Sequence, residues 1–141
     1  MSGKPILCAV DGSAPSSRAA ALAAQVARAT SSKVLLVSVI DLRQIDIYEG
    51  FYLTEQQLGE LEKHHREKIL DVAMKSVPKE LVDERSRVLR GPVTKTLLDE
   101  AEKAQMIVVG RTGKGAIDRL LEGSVSRALS IHSPVPVVVV P

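Results

Sequence analysis

Small and polar residues that can hold an anion crowd the stretch VGRTGKGAIDRLLEGSVS, residues 109–126. Glycine lets backbone N–H groups approach a phosphate without a Cβ in the way, and a serine hydroxyl can donate to phosphate oxygens. A Walker loop is excluded because Gly113-Lys114 is followed by Gly115 rather than by Ser or Thr. The dinucleotide fingerprint is excluded because Asp118 stands where that motif needs its last glycine. The residues that carry anion-binding chemistry are Gly110, Gly113, Gly115, Gly123, Ser124 and Ser126, with Arg111 and Lys114 as neighbouring cations.

A second polar loop, VDGSAPS at residues 10–16, follows the first apolar run of the chain. Its Asp11 is the obvious carboxylate of the two loops, and it can order the turn, contact a ligand, or do both. Neither loop contains a histidine, so we identify no catalytic residue and no convincing general base. This pattern favours ligand binding over catalysis, with slow hydrolysis of a bound ligand as an alternative.

Apolar runs alternate with helical patterns along the whole chain. Such an alternation is typical of an α/β domain with a parallel sheet and helices on both faces, and its size suits an open, doubly wound, five-stranded sheet. If the chain winds outward from the first strand in both directions, the loops after strands one and four meet at one edge. Residues 1–141 are therefore predicted to form a single domain. The predicted strands are 5–10, 33–41, 85–91, 106–110 and 135–141, and the predicted helices are 13–30, 54–76, 92–104 and 124–132.

Several local features can be predicted from side-chain chemistry. Ser13 is expected to cap the first helix, and Thr54 with Gln57 forms a capping box that opens the second. Gly110 is expected to allow a sharp turn after the fourth strand. Residues expected on the buried face of the second helix are Leu58, Leu61, His65, Ile69 and Val72.

The composition is that of an ordinary globular protein, with 45% hydrophobic and 26% charged residues and a net charge of +2. No block of basic residues marks a nucleic-acid partner, and no apolar run is long enough for a membrane span. The lone Cys8 is predicted to be a small core residue and fits a reducing compartment, so a cytoplasmic location is expected. Tyr48, Phe51 and Tyr52 are the aromatic residues, and they suit a ligand lid, a subunit contact or ordinary packing.

The spacing of three glycines resembles the motif of the nucleotide-binding class of universal stress proteins. Two residues separate Gly110 from Gly113, and nine separate Gly113 from Gly123-Ser124. The similarity extends over the whole chain, including ILCAVDGSAPSSRAA at its beginning, GPVTKTLLDEAE, and SPVPVVVVP at its end. The resemblance implies a parallel sheet of strand order 3-2-1-4-5, binding of ATP or AMP, and a homodimer. Gln105 departs from the family pattern, which usually has Asp before the fourth strand.

The resemblance also assigns the site residues. Asp11 and Val39 correspond to contacts on the adenosine side. Mg²⁺ held through the phosphates is a further expectation, with Asp11 or Ser124 as candidate protein ligands. Arg111 and Lys114 lie in the same loop, although the family pattern does not fix them. The phosphate and ribose contacts correspond to Gly110, Gly113, Gly123, Ser124, Val125 and Ser126.

Four consecutive valines, Val137–Val140, are too apolar for an exposed sheet edge, so the homodimer is predicted to form through residues 135–141. The predicted function is that of an ATP- or AMP-binding stress-response protein that acts as a binder or sensor. A slow ATP hydrolase or phosphotransferase on the same site is one alternative. A dimeric interaction module that binds no nucleotide is the other.

Overall fold

The computed structural model describes residues 3–41, 54–111 and 123–141. Tyr48, Phe51, Tyr52, Gly113 and Lys114 lie outside the described residues, and so do the predictions that concern them. The strands are β1 (Ile6–Ala9), β2 (Val34–Ile40), β3 (Arg87–Arg90), β4 (Met106–Gly110) and β5 (Val137–Val140). The helices are α1 (Ala14–Ala29), α2 (Glu55–His64), α3 (Asp71–Met74), α4 (Val93–Ala101) and α5 (Ser124–His132). A π-helical segment (His65–Leu70) joins α2 to α3, and a 3₁₀ turn (Lys79–Leu81) precedes β3.

The five strands form one sheet in the order β3-β2-β1-β4-β5, and every neighbouring pair is parallel. This confirms the predicted fold class and strand order. The order reverses between β1 and β4, which are hydrogen-bonded neighbours despite their distance in sequence. In such sheets ligands bind beyond the carboxyl ends of the strands at this switch point.

Each face of the sheet has its own apolar core. One contains α1 and the helical run that ends in α3, and the other contains α4 and α5. Ala19, Ala23 and Ala27 of α1 are fully buried, and their small side chains let this helix lie close to the sheet. Cys8 is also fully buried, and burial raises the pKa of its thiol to about 12. The prediction of an inert core cysteine is confirmed.

The predicted helix 54–76 is a continuous helical run whose phase shifts midway. Thr54 and Gln57 form the predicted capping box. Within the π-helical segment the N–H of Asp71 bonds to the carbonyl of Arg66, five residues back, which inserts one extra residue into the turn. The shift carries Val72 out of the buried face, and it is 47% exposed. The prediction for Val72 was therefore wrong, and Leu70 and Ala73 are buried there instead.

Two polar side chains tie the sheet to its surroundings. His65 in the π-helical segment is half-buried, and its Nδ1 shares a hydrogen bond with the buried hydroxyl of Ser38, 2.9 Å away. Gln105 donates through its backbone N–H to the carbonyl of Pro5 at 3.0 Å, and its side chain donates to Lys4 at 2.8 Å. Gln105, which stands where the family pattern usually has Asp, thus links the start of β4 to the residues just before β1.

Within the described parts of the chain, no helix has both the length and the apolar character that crossing a membrane requires.

Candidate functional site

The register of the sheet brings the predicted base-side and phosphate-side residues to adjoining strand ends. Ala9 of β1 lies opposite Val37 of β2, and continuing this register by two residues is expected to bring Asp11 near Val39. Cys8 lies opposite Val108 of β4, and continuing this register by two residues brings Val10 beside Gly110. The loop after β1 and the end of β4 therefore meet at the carboxyl edge, and the rest of the loop predicted to join them, residues 112–122, lies outside the described residues.

The turn after β1 is ordered by short-range hydrogen bonds around Asp11. The carboxylate oxygen Oδ1 accepts from the N–H of Ser13 at 2.9 Å. The Ser13 hydroxyl accepts from the N–H of Ser16 at 3.2 Å, which confirms the predicted cap of α1. Asp11 thus has the turn-ordering role proposed for it, and contact with a ligand stays a prediction.

The backbone of Val39 faces the place where β1 ends. The carbonyl of Val37 accepts from Val10 of the β1 side at 2.9 Å, whereas the carbonyl of Ile40 accepts from Gly91 of the β3 side at 3.0 Å. Because backbone groups alternate in direction along a strand, the N–H and C=O of Val39 point toward the β1 side, like those of Val37. β1 ends at Ala9, so this donor and this acceptor point into the crevice beyond its end.

Gly110 is needed for close packing against the start of α1. It lies within β4, pairs with Val140, and does not have a positive φ. A Cβ at this position would lie 2.8 Å from Cβ of Pro15 and 2.9 Å from the backbone nitrogen of Ser16. β4 ends at Gly110, as predicted, and the first turn of α1 rests directly on this residue. The chain after Arg111 lies outside the described residues, so the sharp turn stays a prediction.

The start of α5 presents backbone donors at the same edge. Gly123, its N-cap residue, has φ of 78°, in the left-handed region that glycine adopts without strain. Glycine has no side chain to cap the first turn, whose N–H groups lack acceptors within the helix. Ser124 is exposed, and Val125 is half-buried against the α4–α5 core. Backbone N–H groups at a helix start, with the positive end of the helix dipole, favour an anion.

Arg111 and Ser126 join the end of β4 to the first turn of α5. The N–H of Arg111 donates to the carbonyl of Val140 at 2.7 Å, and its side chain is exposed. Ser126 is only 7% exposed, and its hydroxyl oxygen lies 3.2 Å from the carbonyl oxygen of Arg111 and 3.0 Å from that of Gly123. The predicted phosphate donor thus has backbone acceptors within reach, and its contact with phosphate is untested.

The residue that the sequence prediction missed on this edge is Ser16. It is 3% exposed, and its hydroxyl donates to the carbonyl of Ser13 at 3.0 Å and accepts from the N–H of Asp11 at 3.3 Å. Its position, three residues after a capping serine, is a sequence signal that could have identified it.

Other reactive groups in the described ranges do not form a second centre. The Ser38–His65 pair resembles a nucleophile with its base, but Ser38 is 1% exposed and no substrate can reach it. No cluster of three or more His, Cys, Asp or Glu side chains suited to a metal ion occurs among residues 3–41, 54–111 and 123–141.

Comparison with known proteins agrees with this architecture. The model of the universal stress protein family matches residues 3–141. A Staphylococcus aureus (strain USA300) protein named as a universal stress protein is 34% identical over 145 residues, which cover 97% of this chain and 83% of that protein. A solved universal stress protein in complex with cAMP is 24% identical with a TM-score of 0.63, over 99% of this chain and 98% of that one. The Archaeoglobus fulgidus universal stress protein in complex with dAMP is 23% identical with a TM-score of 0.65, over 100% of both chains.

The two solved structures share the fold, and the family model and the Staphylococcus relative extend the likeness to sequence along nearly the entire chain. The chain belongs to the universal stress protein family.

Proposed function

We propose that this chain binds an adenine nucleotide, ATP or AMP, at the carboxyl edge of its sheet and acts as a nucleotide-dependent binder or sensor in a stress response. The observation that carries the proposal is that two sets of backbone groups face the carboxyl edge of the sheet: those of Val39 and those of the first turn of α5. Proteins of the same fold with bound cAMP and dAMP add support.

The base would be recognised by the backbone of Val39. Adenine carries an amino group that donates a hydrogen bond next to a ring nitrogen that accepts one. The C=O and N–H of Val39 form the complementary pair, and Asp11 is expected alongside for the ribose. Hypoxanthine reverses the donor and acceptor, so it would leave both backbone groups of Val39 unpaired. A site that relies on such hydrogen bonds discriminates strongly against the reversed partner.

The phosphates would bind between the end of β4 and the first turn of α5. Gly123, Ser124 and Val125 supply the backbone N–H groups of the first turn, and Gly110 brings the end of β4 against the start of α1. Gly113, with Arg111 and Lys114 as cations, completes the set by the sequence motif. A triphosphate needs more charge neutralisation than backbone N–H groups give, so Mg²⁺ bridging the phosphates is part of the proposal, with Asp11 or Ser124 as protein ligand.

Mass spectrometry of freshly purified, denatured protein tests the proposal first, because a bound adenine nucleotide would be recovered with it. Calorimetric titrations with AMP, inosine monophosphate and adenosine then separate base from phosphate recognition. We expect AMP to bind at least about tenfold more tightly than inosine monophosphate. ATP affinity should fall when Mg²⁺ is chelated, and AMP affinity should fall less. No recovered nucleotide, together with no thermal shift in millimolar ATP, would favour the interaction module.

We also propose a homodimer through residues 135–141, because the edge strand β5 is apolar. This edge strand exposes Val139 by 36%, whereas the opposite edge strand β3 carries Arg87 and Arg90, which pair with acidic side chains. Pairing of two β5 strands would cover the apolar edge. Val139→Lys should convert the dimer to monomer in light scattering, and Val72→Lys, on an exposed surface of α3, should not. A cytoplasmic location stays a prediction.

A further inference from the structure

The hydroxyl of Ser126 has one proton and two backbone acceptors. Its oxygen lies 3.2 Å from the carbonyl oxygen of Arg111 and 3.0 Å from that of Gly123, and the residue is 7% exposed. A serine hydroxyl donates a single hydrogen bond, and here both acceptors belong to the backbone. The geometry therefore directs this hydroxyl at the chain rather than at a ligand.

The two acceptors mark the exit of β4 and the start of α5. Gly123 approaches Arg111 closely, since a Cβ on it would lie 3.4 Å from the Arg111 carbonyl oxygen. Arg111 is in turn held by Val140 through a 2.7 Å hydrogen bond, and the carbonyl of Gly123 accepts from Arg127 at 2.8 Å. Ser126 thus lies at the centre of a hydrogen-bonded junction between the last two strands and α5.

The same arrangement recurs on the other side of the crevice. Ser16 is the third residue of α1, as Ser126 is the third residue of α5. The hydroxyl of Ser16 donates to the carbonyl of the N-cap residue Ser13 and accepts from the N–H of Asp11, the residue that leaves β1. Both helices that begin at the switch point therefore use a buried serine to tie the preceding strand exit to their first turn.

We propose that Ser126 is a positioning residue of the nucleotide site: its hydroxyl holds the start of α5 against the exit of β4. The first N–H groups of α5 are then aimed at the phosphate before the nucleotide arrives, which lowers the ordering cost of binding. This inference rests on the proposed function of the site. Ser124, two residues earlier and exposed, is the serine left to contact the phosphate directly.

Three alanine variants of α5 separate positioning from contact. Ser126→Ala removes the junction hydroxyl, Ser124→Ala removes the exposed one, and Ser130→Ala removes a hydroxyl that donates only to the carbonyl of Ser126 at 2.8 Å. For each, AMP and adenosine affinities are measured by calorimetry. Hydrogen–deuterium exchange of the nucleotide-free protein is followed at residues 123–127.

Ser126→Ala should lower AMP affinity about tenfold, leave adenosine affinity unchanged, and speed exchange at residues 123–127. Ser124→Ala should lower AMP affinity without changing exchange, and Ser130→Ala should change neither. A merely structural Ser126 would alter stability and exchange but not the ratio of AMP to adenosine affinity. An unchanged ratio in Ser126→Ala, or a lowered AMP affinity with unchanged exchange, would overturn the positioning role.

Ser126→Thr keeps the hydroxyl and should keep the parent ratio of AMP to adenosine affinity. If Ser126→Ala does not fold, Ser126→Cys replaces it, because a thiol is a weak donor and carries the same expectation. A parent protein that binds neither AMP nor adenosine would overturn the proposed function as well. If the parent protein binds both AMP and adenosine and Ser126→Ala has the parent ratio of affinities, only the role of Ser126 is overturned.

Discussion

The two helices that begin at the switch point, α1 and α5, have the same buried serine in their first turn but different caps. α1 is capped by the side chain of Ser13, and its second residue is Pro15, which has no N–H. α5 is preceded by Gly123, which has no side chain and a φ of 78°. In the first turn of α1, Pro15 has no N–H and the N–H of Ser16 bonds to the Ser13 side chain, whereas the first turn of α5 has no side-chain cap among the described residues.

The charged residues near the two helix starts also differ in sign. Asp11 places a carboxylate beside the start of α1, where its Oδ1 accepts from the N–H of Ser13. The carbonyl of Arg111 lies close to Gly123 at the start of α5, and the exposed side chain of Arg111 carries a positive charge. The positive end of a helix dipole attracts an anion only where the site is not already neutralised. The difference between the two helix starts thus supports the proposal that the phosphates bind at α5 and the ribose near α1.

Gly110→Ala tests the packing of the end of β4 against the first turn of α1. Gly110→Ala would place a Cβ within 2.9 Å of backbone atoms of Pro15 and Ser16, which cannot move without shifting α1. We expect a loss of about 3 kcal/mol in the free energy of unfolding, measured by urea titration. Gly59→Ala is the matched control, because nothing lies within 4 Å of its Cβ position and it lies in α2. It should stabilise the protein by about 0.5–1 kcal/mol. Equal stability of the two variants would contradict this packing account.

Gly113→Val tests the phosphate side without disturbing the start of α1. A branched side chain should block approach of the phosphate to the backbone. Loss of two charge-assisted hydrogen bonds at about 1.5 kcal/mol each predicts about a hundredfold weaker ATP binding. Lys114→Ala, by contrast, should weaken binding less than about tenfold, because a lysine supplies a point charge on a flexible stem rather than fixed backbone hydrogen bonds. Calorimetry at one salt concentration, with circular dichroism to check the fold, makes the comparison. Unchanged ATP affinity in Gly113→Val would remove the glycine motif from the site.

Ser13→Ala probes the capped helix. Loss of the cap should lower the free energy of unfolding by about 1 kcal/mol, because the N–H of Ser16 loses its acceptor at 3.2 Å. The ratio of AMP to adenosine affinity should stay at the parent value, since no phosphate contact is assigned to α1. Thermal denaturation and the two titrations measure both quantities. A fall in AMP affinity alone would mean that α1 also binds phosphate.

The family resemblance supplied the strand order. Local periodicity and capping chemistry predicted the alternating elements and the capping box, and topology predicted that the end of β4 comes to the loop after β1. Sequence reasoning failed where a residue's role depends on what approaches it. The packing role of Gly110 was missed because the closeness of Pro15 cannot be read from the sequence around residue 110. Val72 fell on the expected apolar stripe of a regular helix, and one π-helical turn displaced it. Ser126 lies beside the motif, and only the structure shows its carbonyl partners.

The central claim, that phosphate binds at α5 and not at α1, can be measured on the unaltered protein. Two-dimensional ¹H–¹⁵N spectra recorded with adenosine and then with AMP isolate the effect of the phosphate on each amide. We expect phosphate-dependent shifts at Ser124 and Val125, with Ala14 and Ser16 unmoved between the two ligands. Phosphate-dependent shifts at Ala14 and Ser16 with none at Ser124 and Val125 would contradict the assignment.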